Sequence, residues 1–431
     1  MNVIVEPGPL SGELRAPSSK SEAHRLLVCA ALASGTTDID CTTTSDDIDA
    51  TAGCLRALGA RVTRTRGGFR VVPAPSRPPE DPLLDCHESG STLRFLLPVV
   101  AALGCDARLD GRGRLPERPL SPLYEELLRH GAELSAQGRM PLRVSGSLRG
   151  GRFELPGNVS SQFVSGLLMA APVTGEDVEV VVSTPVESRP YVDLTVRALA
   201  AFGVSVHERR AETADGRPAI AWRVDAGSQL VSPGVARVGG DWSNAAFWLA
   251  AGALSDDGVA VCGLDPQSPQ GDRSVLAALS LLGARALRRR DGAACSPGEL
   301  AGREIDVRDI PDLVPPLAAV AAFASGTTRF TGAGRLKIKE SDRLASVSGT
   351  IRALGGNAQE TEDGLIVEGA ETLPGGTVSA VGDHRIAMMA SVMAARCEGP
   401  VTVLGAECVE KSYPAFFEDL VALGGTCRKE S

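Results

Sequence analysis

Aromatic residues are scarce, with Phe, Trp and Tyr making up 4% of 431 residues. Rings cannot fill the core of such a chain, so Ala, Leu and Val must. No apolar run reaches the ~18 residues that a membrane-spanning helix requires. The opening Met1-Asn2-Val3-Ile4-Val5-Glu6-Pro7 has no basic n-region and no long apolar stretch, so it does not read as a signal peptide. The ten cysteines are scattered, without a Cys-x-x-Cys pair, which argues against a disulfide framework and a zinc site. A cytoplasmic protein without a metal is expected. Positive charge is not in excess either: 44 Lys and Arg stand against 53 Asp and Glu, a net charge of −9. That argues against bulk nucleic-acid binding, which needs a basic face. It leaves room for a small anion, because a few basic side chains can converge locally.

What the chain does have is repetition. Leu55-Arg56-Ala57-Leu58-Gly59-Ala60-Arg61-Val62 reads as a helix end, a glycine and the start of a strand. The same tail returns around Gly131, Gly203, Gly283, Gly355 and Gly424, at steps of 72, 72, 80, 72 and 69 residues. A glycine there suits the left-handed residue that follows a helix C-terminus. Six copies at nearly constant spacing predict one α/β unit repeated through the chain. The length suggests two domains, hence three units in each, with a join in the Gly/Pro-containing loop from Gly227 to Gly240.

Polar residues precede helices of small apolar residues. Ser89-Gly90-Ser91-Thr92 precedes 93–103, Ser160-Ser161-Gln162 precedes 163–171, and Asp241-Trp242-Ser243-Asn244 precedes 245–254. Asp312 precedes 313–324, and Asp383-His384-Arg385 precedes 386–395. Each is read as an N-cap on a buried helix. Several such ends pointing at one cleft would attract anions. Other stretches are dense in charge for their surroundings: Lys20 through Arg25, with Lys20 and His24 one turn apart; Pro116-Glu117-Arg118-Pro119; Lys337 through Leu344; and Glu410-Lys411-Ser412-Tyr413-Pro414.

Taken in order, these motifs resemble those of the 5-enolpyruvylshikimate-3-phosphate synthases, a family of enolpyruvyl transferases. Lys20-Ser21-x-x-x-Arg25 matches the family's first substrate motif, and Gly90-Ser91-Thr92-Leu93-Arg94 resembles its glycine segment. Arg118, Ser160-Ser161-Gln162, Ser188-Arg189-Pro190-Tyr191, Ile310-Pro311-Asp312, Lys339 through Leu344, Asp383-His384-Arg385 and Lys411 follow. Glu88 and Arg335 stand where members often carry Asn, and Ser91 where they carry Thr. The resemblance implies a two-domain inside-out α/β barrel with three βαβαββ repeats per domain. One domain would comprise residues 1–18 and 239–431, the other residues 19–238.

The resemblance also implies the chemistry: the enolpyruvyl group of phosphoenolpyruvate passes to the 5-hydroxyl of shikimate 3-phosphate through a tetrahedral intermediate, and phosphate leaves. Arg118, Arg343, Arg385 and Lys411 are expected on phosphoenolpyruvate, helped by Lys20, Gln162 and the Gly90 backbone. Ser160, Ser161 and Ser188 are expected on the shikimate phosphate, and Ser21, Arg25, Tyr191, Asp312 and Lys339 around its ring. His384 belongs to the expected binding set through its motif. Asp312 and Glu340, with Lys20, are the expected catalytic groups. Glyphosate is expected to compete beside Gly90. No metal or cofactor is implied, and the expected chain is a monomer that acts on small molecules, without a nucleic-acid or membrane partner. Because the matched residues come from both halves, the site is expected between the domains. The alternatives are UDP-N-acetylglucosamine enolpyruvyl transferase, a paralogue acting on another cyclic alcohol, and a non-catalytic repeat scaffold. The first carries a reactive cysteine in the loop corresponding to 111–120, where this chain has none.

Overall fold

The computed structural model describes residues 1–158 and 160–430. The chain divides into two compact units: Ser18–Val238, and Met1–Pro17 together with the chain from Gly239 onward. Among the described residues there are six four-stranded sheets. One repeat shows the pattern. Strand Leu83–Asp85 leads into helix Gly90–Leu103, strand Ala107–Asp110, helix Leu123–Arg129, and the strands Ala132–Leu134 and Leu142–Gly146. The first two strands are parallel, with Leu83 opposite Arg108, so they need the crossover helix between them. The remaining pairings are antiparallel, with Ala107 opposite Val144 and Ala132 opposite Gly146.

Three repeats borrow a strand from elsewhere in their own unit. Val235–Arg237 lies parallel to Thr37–Asp40 and completes the first repeat of Ser18–Val238. In the other unit Gly12–Arg15 lies parallel to Val259–Cys262. Asn2–Val5 lies between Val401–Leu404 and Cys427–Glu430, antiparallel to both.

The repeated glycines behave as their position demands. Gly59, Gly131, Gly203, Gly283, Gly355 and Gly424 have φ of 95°, 95°, 83°, 99°, 92° and 92°, a region closed to most side chains. Each ends the second, amphipathic helix of its repeat and turns the chain into the next strand.

The first helix of each repeat is the buried one. Lys20–Leu32, Gly90–Leu103 and Ser161–Thr174 pack on one another in one unit, and Trp242–Leu254, Val314–Ala321 and His384–Met393 in the other. Every residue of Trp242–Leu254 is buried. Small residues permit this packing. A Cβ on Gly166 would lie 2.3 Å from the Arg94 carbonyl oxygen of the neighbouring helix, so only glycine fits there. Some of the few rings pack together: Trp248 stacks on Phe416 at 4.7 Å and donates from Nε1 to Tyr413 Oη.

Five of these six helices carry a side-chain cap at Ser19, Ser89, Ser160, Asp241 or Asp383. The sixth corrects the sequence reading. Asp312 lies in a short 3-10 turn, Pro311–Leu313, and helix Val314–Ala321 begins without a side-chain cap. Two prolines in its first turn, Pro315 and Pro316, have no N–H to cap.

Candidate active site

In Ser18–Val238 the first turns of the three buried helices are tied together by side chains. Lys20 opens its helix and forms an ion pair with Asp47 Oδ2 at 2.7 Å. Arg25, one turn further on, is buried. Its Nε donates to Thr195 Oγ1 (2.7 Å), Nη1 to the Ser21 carbonyl (2.6 Å), and Nη2 to Ser165 Oγ (3.2 Å) and the Tyr191 carbonyl (2.9 Å). Its guanidinium also lies 4.8 Å from the centre of the Phe95 ring. Burial brings its pKa down to about 10, against the raising influence of Tyr191 and Glu22. Four of its five N–H groups are thus spent on the protein, which makes Arg25 chiefly a clamp on Ser21 and Tyr191. Ser188, which precedes helix Arg189–Ala201, is buried and holds φ of 55°. A non-glycine residue in that region costs roughly 1–3 kcal/mol unless its surroundings impose it.

The Gly90 turn is equally well defined. Gln162 Nε2 donates to Ser91 Oγ (2.9 Å), and Gln162 Oε1 accepts from Arg94 Nη1 (2.8 Å). Arg94 Nη2 reaches the Pro119 carbonyl (3.1 Å) next to Arg118. Arg118 lies against Gly90: a Cβ there would stand 2.7 Å from Arg118 Nη1. Ser160 caps the third helix through the Gln162 N–H, and Ser161 is its first residue. Lys20, Gly90, Arg118, Ser160, Ser161 and Gln162 therefore stand at or beside the N-terminal ends of helices, where free N–H groups and the dipole favour an anion.

The other unit holds a denser cluster. Arg343 has 1% of its side chain exposed and lies among three carboxylates. Its Nε donates to Asp383 Oδ2 (2.9 Å), Nη1 to Asp312 Oδ1 (2.8 Å), and Nη2 to Glu340 Oε2 (2.6 Å) and Asp383 Oδ1 (3.2 Å). Burial alone would lower the Arg343 pKa, but Asp383, Glu340 and Asp312 raise it above the ordinary range. Asp312 is in turn ringed by cations. Besides Arg343, Lys339 Nζ lies 3.6 Å from Oδ1 and Arg385 Nη2 lies 3.6 Å from Oδ2. Burial would raise its pKa, yet Arg385, Lys339 and Arg343 together hold it far below the usual carboxylate range. Burial lowers Lys339, opposed by Asp312. Arg385 donates to the Asp312 carbonyl (3.1 Å) and to Ser243 Oγ (2.7 Å). Lys411 donates to the Gly382 carbonyl (2.8 Å). His384 is buried in the first turn of its helix.

The chain matches the sequence model of EPSP synthase (3-phosphoshikimate 1-carboxyvinyltransferase) over residues 4–420. It is 39% identical over 424 residues to the 3-phosphoshikimate 1-carboxyvinyltransferase of Clostridium kluyveri, spanning 98% of this chain and 97% of that protein. It is 37% identical to the enzyme of the same name from Methanocorpusculum labreanum, over the whole length of both. The chain belongs to the EPSP synthase family. A solved EPSP synthase from Acinetobacter baumannii superposes with a TM-score of 0.79 at 27% identity, covering 99% of this chain and all of that one. An enolpyruvyl transferase from Streptomyces tendae shares the fold, with a TM-score of 0.74 at 22% identity and coverage of 99% and 98%. The fold is thus the two-domain inside-out α/β architecture of the enolpyruvyl transferases.

In this member of the EPSP synthase family, some of the site's supports are not legible in sequence. Asp383 is fully buried, grips Arg343 with both carboxylate oxygens, accepts from Ser341 Oγ (3.0 Å), and caps the helix that carries Arg385. Its position before a buried helix marks it only as a cap. Asp47, Ser165 and Thr195 carry no signal of their own, since each is one polar residue on a helix. Arg335 donates to the Arg308 carbonyl (2.9 Å).

Proposed function

We propose that the chain transfers the enolpyruvyl group of phosphoenolpyruvate to the 5-hydroxyl of shikimate 3-phosphate and releases phosphate. The observation that carries this reading is the Asp312 carboxylate, kept ionised between Arg343, Lys339 and Arg385 and placed beside Glu340. An ionised carboxylate among cations can accept a hydrogen bond from the attacking hydroxyl and orient it, and it becomes a better base once the substrates' negative charges offset those cations. Arg385 and Lys411, with Arg118, Lys20 and the Gly90 turn, are the proposed phosphoenolpyruvate contacts. Arg343 serves them through its charge and by fixing Asp312 and Glu340. Ser160, Ser161 and Ser188 are the proposed holders of the shikimate phosphate. Ser21, Arg25, Tyr191 and Lys339 position the ring, and His384 supports the Arg385 turn. The test is a coupled assay for phosphate release. Release with phosphoenolpyruvate and shikimate 3-phosphate, and none with UDP-N-acetylglucosamine as acceptor, is expected. Release with the nucleotide sugar alone would overturn the reading.

One consequence concerns Gly90. Its φ lies outside the left-handed region, so alanine fits the backbone, but the added methyl must push against the Arg118 guanidinium at 2.7 Å. That end of a flexible side chain can shift a little. Gly90→Ala is therefore expected to keep turnover while weakening glyphosate inhibition more than it raises the KM for phosphoenolpyruvate, because one methyl discriminates between two ligands of different shape. Inhibition constants and KM measured on the same preparations decide it. Equal losses for both ligands would count against placing Gly90 at the shared space.

A further inference from the structure

Behind the Gly90 turn lies a chain of buried polar side chains to which the reaction above assigns no role. His24 Nδ1 lies 2.7 Å from Thr51 Oγ1, Thr51 Oγ1 lies 2.7 Å from Thr92 Oγ1, and Thr92 Oγ1 donates to Ser89 Oγ at 2.8 Å. Ser89 Oγ also accepts the Thr92 N–H at 3.2 Å, which is the cap of helix Gly90–Leu103. All four residues are at most 1% exposed. The chain runs from helix Lys20–Leu32 through helix Asp46–Ala57 to the turn that presents Gly90.

The order of protons follows from one end. A hydroxyl has one hydrogen to give. Thr92 gives its hydrogen to Ser89, so at its contact with Thr51 it accepts. Thr51 gives its hydrogen to Thr92, so at its contact with His24 it accepts as well. His24 must then carry its proton on Nδ1, with Nε2 bare. His24 Nε2 is buried and meets no hydrogen-bond partner among the described residues, as suits a bare lone pair better than a stranded N–H. Burial, then the charges of Lys20 and Arg25, keep the ring neutral.

We infer that His24, Thr51 and Thr92 form a proton-ordered strut that positions the Gly90 turn for phosphoenolpyruvate. They are positioning residues, acting through Ser89 and Gly90 rather than touching substrate. The inference rests on the function proposed above. Its geometric half can be tested without it. Nitrogen NMR of the labelled protein should show one neutral imidazole protonated at Nδ1, assigned to His24 by its loss in His24→Asn. An Nε2–H tautomer or an imidazolium would overturn the proton order. The functional half is read from Thr92→Val, which keeps the shape and removes the hydroxyl. One hydrogen bond's net worth predicts a KM for phosphoenolpyruvate raised roughly 3–10-fold. The KM for shikimate 3-phosphate and kcat should stay within about twofold. His24→Asn retains a donor near the Nδ1 position and should restore most of the wild-type KM, whereas His24→Leu should match Thr92→Val. A purely structural role would lower the melting temperature and leave the two KM values unchanged or shifted alike, and that result overturns the strut. If the wild-type enzyme releases no phosphate from the two substrates, the function falls while the tautomer result stands.

Discussion

Asp312→Asn and Glu340→Gln are each expected to lower turnover by roughly 10²–10⁴-fold, the range for a lost general acid or base. The two should fail differently. Asp312 is held ionised by the cations around it, so it can accept from the 5-hydroxyl. Two anionic substrates that offset those cations would raise its weak basicity, so Asp312→Asn should stall addition to phosphoenolpyruvate. Glu340 contacts Arg343 yet keeps 22% of its side chain exposed, so water can exchange its proton. Glu340→Gln should therefore slow entry of solvent deuterium into the product methylene. Rapid-quench measurement of the intermediate and mass spectrometry of the product separate these outcomes. Near-normal turnover in either variant would remove that residue from the mechanism. The structure also changes what stability should show. A cap lost from a helix costs only about 1 kcal/mol, which is what Asp312 would be worth on the sequence reading. As a partner of buried Arg343 it matters more, and Asp312→Asn should lower the melting temperature measurably, even though its amide oxygen can still accept from Nη1.

The largest loss of stability is expected for Arg343→Leu. The change strands three carboxylates, one of them the fully buried Asp383, and breaking a buried ion pair from one side costs roughly 3–5 kcal/mol. Urea unfolding should show this as a lower midpoint, and activity should vanish with it. Arg343→Lys should recover little, because a point charge cannot span three carboxylates as a planar fork does. The pH dependence has a definite sign. Asp312 is depressed, so its stabilisation is present above its unfolded value of about 3.9 and fades only as pH falls through the much lower folded value. Arg343 is raised, so its stabilisation is present below its unfolded value of about 12.5 and fades only above it. These two groups should then leave wild-type stability independent of pH from roughly pH 5 to pH 9. The gap to Arg343→Leu should narrow at the acid end, where the stranded carboxylates of the variant take up protons.

The fold was legible because its signals are local and repeated. Six glycines after helical tails sit in the one backbone region that favours glycine, and five of the six buried helices have a Ser or Asp cap. What was hidden needs three dimensions. The turn at Asp312 carries an acidic residue before a small-residue helix, as the Asp241 and Asp383 turns do, and a single sequence cannot tell a capping carboxylate from one turned toward Arg343. The borrowed strands were equally obscure in detail: nothing in Val235-Ala236-Arg237 says that it pairs with Thr37–Asp40. The candidate site residues stood out by residue type, as cations in an acidic chain. Their supports did not, because Thr51, Thr92, Ser165 and Thr195 look like any hydroxyls on helices.

The strand Asn2–Val5 has a consequence for how the protein is made. It leaves the ribosome long before its neighbours in the sheet, Val401–Leu404 and Cys427–Glu430. The nascent chain must therefore carry this strand without those partners while the residues between them are made, whereas Ser18–Val238 has all its strands within reach much earlier. Closing so long a loop is slow, and an unpaired strand of Asn-Val-Ile-Val is a ready template for the wrong edge. The waiting strand is only four residues long and is followed by Glu6 and Pro7, a charge and a strand breaker that limit mispairing until its partner strands arrive.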